Sequence, residues 1–152
     1  MTTMPAPGFR PATRADVGAV VALLADDVLG QGRETVDLAP YLAAFDAMQA
    51  EGANQLILGV IGAEIVACYQ ITFISGLSLS AARRAQIEGV RVASDRRGQR
   101  IGEALVHDAE TRARAAGCTL LQFTTNRSRG DAHRFYDRLG FTASHIGYKK
   151  SL

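Results

Sequence analysis

At 152 residues the chain is long enough for one domain that buries about two thirds of its unfolded surface without metals or disulfides. Its 47% hydrophobic and 21% charged residues are those of a soluble globular protein, which argues against disorder beyond the first few positions. The formal charge of +2 hides an asymmetry: residues 1–82 hold three arginines against eight carboxylates, and residues 83–152 hold fourteen basic against seven acidic side chains. Residues 1–8 carry two prolines and no charge, so they read as a flexible N-terminus ahead of a single domain over 9–152. They lack the basic and apolar regions of a secretory signal, and a cytoplasmic location is expected. The longest charge-free stretch, 65–82, is broken by Gln70, Thr72, Ser75, Gly76, Ser78 and Ser80 and is not a membrane span. Cys68 and Cys118 lack metal-ligand spacing and read as small buried hydrophobes; no metal site is expected.

In chain order, residues 9–12 predict a first strand. Thr13-x-x-Asp16 then resembles a capping box before a helix whose apolar stripe is Val17, Val20, Val21 and Leu24. After a polar link over 30–35, Asp37 is a candidate N-cap for a second helix. Leu38, Tyr41, Leu42, Phe45 and Met48 form its expected buried side, and Gly52 its end. Residues 55–61 and 64–74 predict antiparallel strands joined at Gly62-Ala63. A Ser-rich connection over 75–84 precedes a strand over 85–92, which leads into an Arg/Gly loop. From Ile101 a helix carries Ile101, Leu105, Ala109, Ala113 and Ala116 on one side, with Glu103/His107, Asp108/Arg112 and Glu110/Arg114 as i,i+4 pairs on the other, and Gly117 as its stop. Residues 119–125 predict a buried strand, Asp131 caps a short helix carrying Phe135 and Leu139, and 141–148 predict a last strand. The strand and helix order after residue 85 argues a mixed α/β sheet.

The loop Arg97-Gly98-Gln99-Arg100-Ile101-Gly102 joins a strand's carboxyl end to a helix N-terminus, where free N–H groups and the positive end of the helix dipole suit a phosphate or pyrophosphate. Arg83, Arg84, Arg91, Arg96, Arg97 and Arg100 fall within 18 residues around it, which favours an anionic ligand over the alternative of a solvated basic face.

The segments over 92–102 (VASDRRGQRIG) and 132–141 (AHRFYDRLGF) together resemble the GNAT N-acetyltransferase superfamily. The resemblance implies a mixed, α+β-like GNAT fold: a twisted, mostly antiparallel sheet of six to seven strands, splayed between the fourth and fifth, with about four helices on both faces. It implies acetyl-CoA as cosubstrate. Its pyrophosphate is expected on the main-chain amides of Arg97, Gly98, Gln99, Arg100, Ile101 and Gly102, each bond contributing about 1.5 to 3 kcal/mol because the acceptor is charged. Arg100 stands where the family has the first glycine; a negative φ there is expected to keep the loop serviceable. Arg96 and Arg100 side chains are expected to add charge attraction.

By the same resemblance Val90 and Val92 pair with the pantetheine amides, a bulge near Arg91 splays the strands, and Asn126 or Arg129 reaches the pantetheine arm beside Phe135 and Tyr136. Tyr136, set a quarter turn from the Phe135/Leu139 stripe, is the expected general acid toward the leaving sulfur. A tyrosine giving its proton to a thiolate is uphill by about 2 kcal/mol, so a hydrogen bond to the sulfur is enough. An alkyl ammonium is neutral about one part in a thousand at pH 7, and Glu88 is the candidate base; the alternative is a strand carboxylate paired with Arg84. His133 and His145 are weaker base candidates. Asp26, Asp27, Glu34 and Asp37 suit a cationic substrate.

The expected function is acetyl transfer from acetyl-CoA to a primary amine of a small molecule. The alternatives are a non-catalytic CoA-binding sensor and a protein or peptide N-acetyltransferase. Nucleic-acid binding is disfavoured because the Arg-rich stretch has no interleaved aromatics. No membrane partner is expected, and the apolar last segment is compatible with a homodimer.

Overall fold

The computed structural model describes residues 5–26, 31–34 and 37–152. Two compact units make up the chain, Met1–Gln122 and Phe123–Leu152. In the first, β1 (Gly8–Pro11) leads through a 3₁₀ turn (Arg14–Asp16) into α1 (Val17–Ala25). There follow α2 (Ala39–Glu51), β2 (Asn54–Ile61), β3 (Glu64–Ile74), the single turn α3 (Ser78–Ala81), β4 (Arg84–Val92), α4 (Ile101–Ala115) and β5 (Leu120–Gln122). The five strands lie side by side in chain order, antiparallel from β1 to β4, with β5 parallel to β4. The mixed, mostly antiparallel sheet is as expected. Among the described residues the strands number five rather than six or seven, and the helices five rather than about four.

Alternation along the strands sends side chains to two faces. Leu58 and Cys68 join Val17, Val20, Val21, Leu23 and Phe45 in one apolar cluster under α1 and α2. On the opposite face Ile57, Tyr69, Ile71, Ala85 and Ile87 are buried, and α4 packs on β3 and β4 with Ile101, Leu105, Val106, Ala109 and Ala113 buried. Each fully buried Leu or Ile contributes about 1.5–3 kcal/mol. In α2 only Phe45 is buried; Leu38 is exposed and Tyr41, Leu42 and Met48 are half-buried, because this helix covers the rim of the cluster. Asp37 accepts from the Ala39 N–H at 3.0 Å, while Leu38 occupies the N-cap position.

Other expectations need correction. Asp108 and Arg112 are not on a solvated side: the Tyr69 hydroxyl donates to Asp108 at 2.5 Å, and Arg112 binds the same carboxylate at 2.8 Å. Glu103 pairs with Arg100, not His107. The strand expected over 119–125 shrinks to Leu120–Gln122, since only Arg84–Gln86 offer it a partner. In the second unit α5 (Gly130–Arg138) begins after Arg129, with Asp131 inside its first turn rather than capping it. No strand forms over 141–148: no ladder partner exists for it among the described residues, and Ile146 and Tyr148 stand exposed. Among the described residues no helix is long and apolar enough to cross a membrane.

Candidate active site

β4 is the element that organises the first unit's candidate residues. Its pairing with β3 jumps from Gln70↔Glu88 to Cys68↔Arg91, so two β4 residues, Gly89 and Val90, stand across from the single β3 residue Tyr69. Gly89 sits at φ +58°, which glycine reaches without the steric cost of a Cβ, and this makes the bulge. The bulge lies just before Arg91, as expected. The buried Cys68 thiol, its pKa pushed up to about 12 by burial, approaches the Gly89 carbonyl at 3.7 Å. On the other edge, β5 pairs only with Arg84–Gln86, so residues 87–92 continue with no β5 partner. The sheet therefore opens between β4 and β5 beside Val90 and Val92.

After β4 the chain makes a 3₁₀ turn (Ser94–Arg96) and enters the loop. The Asp26 carboxylate at the end of α1 accepts from the Ser94 N–H (2.8 Å) and hydroxyl (3.0 Å), and Arg97 donates to the Asp26 carbonyl at 3.0 Å. This clasp holds the start of the loop. Gly98 is left-handed at φ +79°, and Arg100, the residue before α4, is also left-handed at φ +62°, ψ +16°. The expected negative φ at Arg100 is thus corrected: the turn into α4 demands the left-handed conformation whichever residue stands there, at a cost of about 1–2 kcal/mol for a residue with a Cβ. Main-chain N–H groups from Arg97 to Gly102 have no acceptor among the described residues.

The arginines are less available than the sequence implied. Arg96 pairs with Glu64 at 2.5 Å, and Arg100 makes two hydrogen bonds to Glu103 at 2.9 and 2.7 Å. Neither is an uncompensated charge facing a ligand, so the expected attraction from their side chains is not supported. Arg91 donates to the Val90 carbonyl at 2.9 Å, and Arg83 lies over the Phe73 ring at 5.9 Å.

Glu88 is exposed, and its carboxylate accepts from Gln86 at 3.3 Å rather than from Arg84. The acidic residues expected to attract substrate have other work: Asp26 clasps the loop, Glu34 accepts from the Tyr41 hydroxyl at 2.5 Å, and Asp37 serves the start of α2. Asp27 lies outside the described residues.

In the second unit Tyr136 is half-buried among aromatics, with ring centroids 4.1 Å from Phe123, 5.0 Å from Phe135 and 5.7 Å from Phe141. It belongs to the packed side of α5 instead of standing clear of it. Asn126 uses its side-chain oxygen to accept from the Ser128 N–H and hydroxyl at 3.0 and 2.7 Å, which closes a turn that local sequence chemistry favours. His133 contacts the Asn126 carbonyl at 3.0 Å, and His145 contacts the Ser144 hydroxyl at 2.7 Å in irregular chain. Arg129 is exposed immediately before α5. A shallow groove of about 540 Å³ beside α1, lined by Ala19, Ala22, Leu23, Ala25, Asp26 and Ile65, contains none of the expected catalytic residues.

Comparisons with known proteins agree with this architecture. A crystal structure of a transcriptional regulator from Bacillus halodurans C-125 is 44% identical, with a TM-score of 0.92 over 96% of this chain and 99% of that one. A Clostridium acetobutylicum chain crystallised with acetyl-CoA shares the fold at 17% identity, with a TM-score of 0.72 over 94% of this chain and 96% of that one. An aminoalkylphosphonate N-acetyltransferase of Salmonella typhimurium is 45% identical over 67 residues; the match spans 44% of each protein. The family model for the acetyltransferase (GNAT) family matches residues 22–141, and the chain belongs to that family.

Proposed function

We propose that the chain is an acetyl-CoA-dependent N-acetyltransferase that moves an acetyl group to a primary amine of a small molecule by direct attack on the thioester. The observation that carries this reading is the run of amides from Arg97 to Gly102 that have no acceptor among the described residues, clasped by Asp26 and adjoining the open edge of β4. Such a donor set fits a diphosphate, because converging N–H groups at a helix start bind anions without needing side-chain charge. The structure of a family member with acetyl-CoA and the small-amine substrate in the Salmonella relative's name support it.

Acetyl-CoA supplies an acetyl group activated as a thioester. In this reading Val90 and Val92 hold the pantetheine arm by strand-like pairing, Arg91 flanks it, and the Val90 N–H polarises the thioester carbonyl. Glu88 takes the proton that the amine loses as its C–N bond forms, directly or through one water. For the second unit, taken by itself, the family resemblance gives Tyr136 the role of proton donor to the sulfur as the C–S bond breaks, and gives Asn126, Arg129 and Phe135 roles in holding the cosubstrate. The proton held by Glu88 returns to solvent and that of Tyr136 is restored from it.

Thiol release from acetyl-CoA across a panel of polyamines, amino sugars, aminoglycosides and peptides tests the assignment. Turnover with small amines is expected; turnover with peptides alone moves the acceptor to a protein terminus or lysine. The name of the Bacillus halodurans relative favours one second reading, a CoA-binding regulator without catalysis. Tyr136→Phe separates the two, since it keeps the ring contacts with Phe123 and removes only the hydroxyl. An enzyme loses about a hundredfold in kcat with CoA affinity kept; a regulator's output is unmoved. A homodimer is also proposed, and light scattering tests it.

A further inference from the structure

The β4–β5 pairing is parallel and ends at Gln86↔Gln122, the last register before the two strands part. Gln86 also stands across from Thr72 of β3, and Glu88 across from Gln70. Thr72 and Gln70 alternate in phase with Cys68 of the cluster under α1 and α2, so Gln122, Gln86 and Glu88 share that face of the sheet. Gln86 and Gln122 are half-buried, whereas Glu88 is exposed.

The Gln122 amide nitrogen donates to the Gln86 side-chain oxygen at 3.0 Å, and the Gln86 amide nitrogen donates to Glu88 Oε1 at 3.3 Å. An ionised carboxylate only accepts, and a carboxamide has one donating and one accepting end. The chain of bonds therefore runs one way, from β5 through Gln86 to Glu88. Turned over, Gln86 would set its oxygen against the carboxylate with no hydrogen between them.

Charged groups on the surrounding elements are engaged elsewhere. Asp26 at the end of α1 binds Ser94, Glu51 at the end of α2 accepts from Asn54 at 2.6 Å, Arg91 donates to the Val90 carbonyl, and the Arg84 guanidinium lies against Gly76. Gln70, opposite Glu88, donates to Asn54 at 2.8 Å. Among the described residues the Gln86 amide is what holds the Glu88 carboxylate. An exposed glutamate otherwise samples many rotamers, and ordering it before the reaction removes that entropy from the barrier.

We infer that Gln122 and Gln86 are positioning residues for Glu88: Gln122 holds Gln86, and Gln86 holds Oε1, so that Oε2 takes the proton the amine loses as its C–N bond forms. The glutamines stay neutral and exchange no proton with the substrate. This rests on the reading of Glu88 as the base. The last register pair of β4 and β5 thus steadies a carboxylate that stands two residues into the opening between them.

The test measures kcat for the full chain with acetyl-CoA and whichever of spermidine, glucosamine and kanamycin it acetylates fastest. Gln86→Met keeps the length of the side chain and loses both bonds; it is expected to lower kcat at pH 7 by about fivefold to tenfold. Gln122→Met is expected to lower it by about threefold to fivefold, with KM for acetyl-CoA unchanged. In a Glu88→Gln background either substitution is expected to cost less than about twofold, because residues that act through one group are not additive. Both losses should shrink toward about pH 10, where the amine is neutral without a base. Melting temperatures check folding, and since the two substitutions lie on different strands, either one completes the cycle. An equal factor lost in both backgrounds, or a loss confined to KM, overturns the positioning role and leaves Glu88 as the base. A Glu88→Gln enzyme as fast as the parent overturns the base and the positioning role together. Absence of thiol release with these amines and with peptides, with CoA binding intact by calorimetry, overturns the acetyltransferase reading beneath both.

Discussion

Arg100 reaches one helical turn forward to Glu103 and binds it through two guanidinium nitrogens, while its own backbone is held left-handed at φ +62°. The side chain is thus engaged with a carboxylate, and what the residue offers a ligand is its amide. Arg100→Gly separates the two contributions. Glycine takes the left-handed conformation without the cost of about 1–2 kcal/mol, partly offset by the lost exposed ion pair and a more flexible unfolded chain. We expect CoA affinity by calorimetry to stay within about threefold, and stability by urea unfolding to change by less than about 1 kcal/mol. A tenfold or greater loss of affinity assigns the binding to the guanidinium instead.

Asp16 closes the turn before α1. Its carboxylate takes two hydrogen bonds from Arg10, at 2.8 and 3.0 Å, and one from the Thr13 N–H at 2.7 Å. The Arg10 bonds first, then those from Thr13, hold its pKa well below the usual carboxylate range against the opposing effect of burial. A carboxylate depressed in the folded state contributes stability that is present above its unfolded pKa of about 3.9 and is lost as pH falls. Urea midpoints of the parent chain should therefore drop below about pH 4. In Asp16→Asn the midpoint should be lower at pH 7 and its slope with acid shallower.

Tyr69, Asp108 and Arg112 tie the middle of β3 to α4. Burial, then the bond to Asp108, raises the tyrosine pKa, so the phenol stays protonated and donates. Tyr69→Phe keeps the ring in the core and removes one donor from a half-buried carboxylate, at a cost of about 1–3 kcal/mol. Arg112 keeps Asp108 partly satisfied, which places the result toward the lower end. Urea unfolding measures it, and CoA affinity should stay within about threefold, since the Tyr69 ring opposite the bulge is kept and only the hydroxyl that reaches α4 is removed.

Local patterns carried much of this architecture. The α4 stripe, the β2–β3 hairpin and the Arg/Gly loop were legible because apolar period, turn residues and helix start all lie within a few positions of one another. The Tyr69–Asp108 bond was not, because it joins residues 39 positions apart, and the Asp108/Arg112 spacing reads equally well as a surface pair. Residues 141–148 have strand-like composition, yet a strand exists only where a neighbour completes its hydrogen bonds. The arginine cluster suggested charge attraction at the loop, but Glu64 and Glu103 are distributed so that two of its members are paired.

Glu88 is the residue whose role depends most on its surroundings. Its Gln86 contact leaves one oxygen available, and the bulge that follows sets Gly89 and Val90 across from Tyr69 alone. Glu88→Gln retains size and hydrogen bonding but accepts no proton. If it deprotonates the amine, kcat should fall by about a hundredfold or more at pH 7, with melting temperature unchanged. The loss should shrink as pH approaches the acceptor's own pKa of about 10, where the amine is already neutral without a base. A deficit that is constant across pH, or one confined to KM, assigns Glu88 to substrate positioning and leaves deprotonation to solvent.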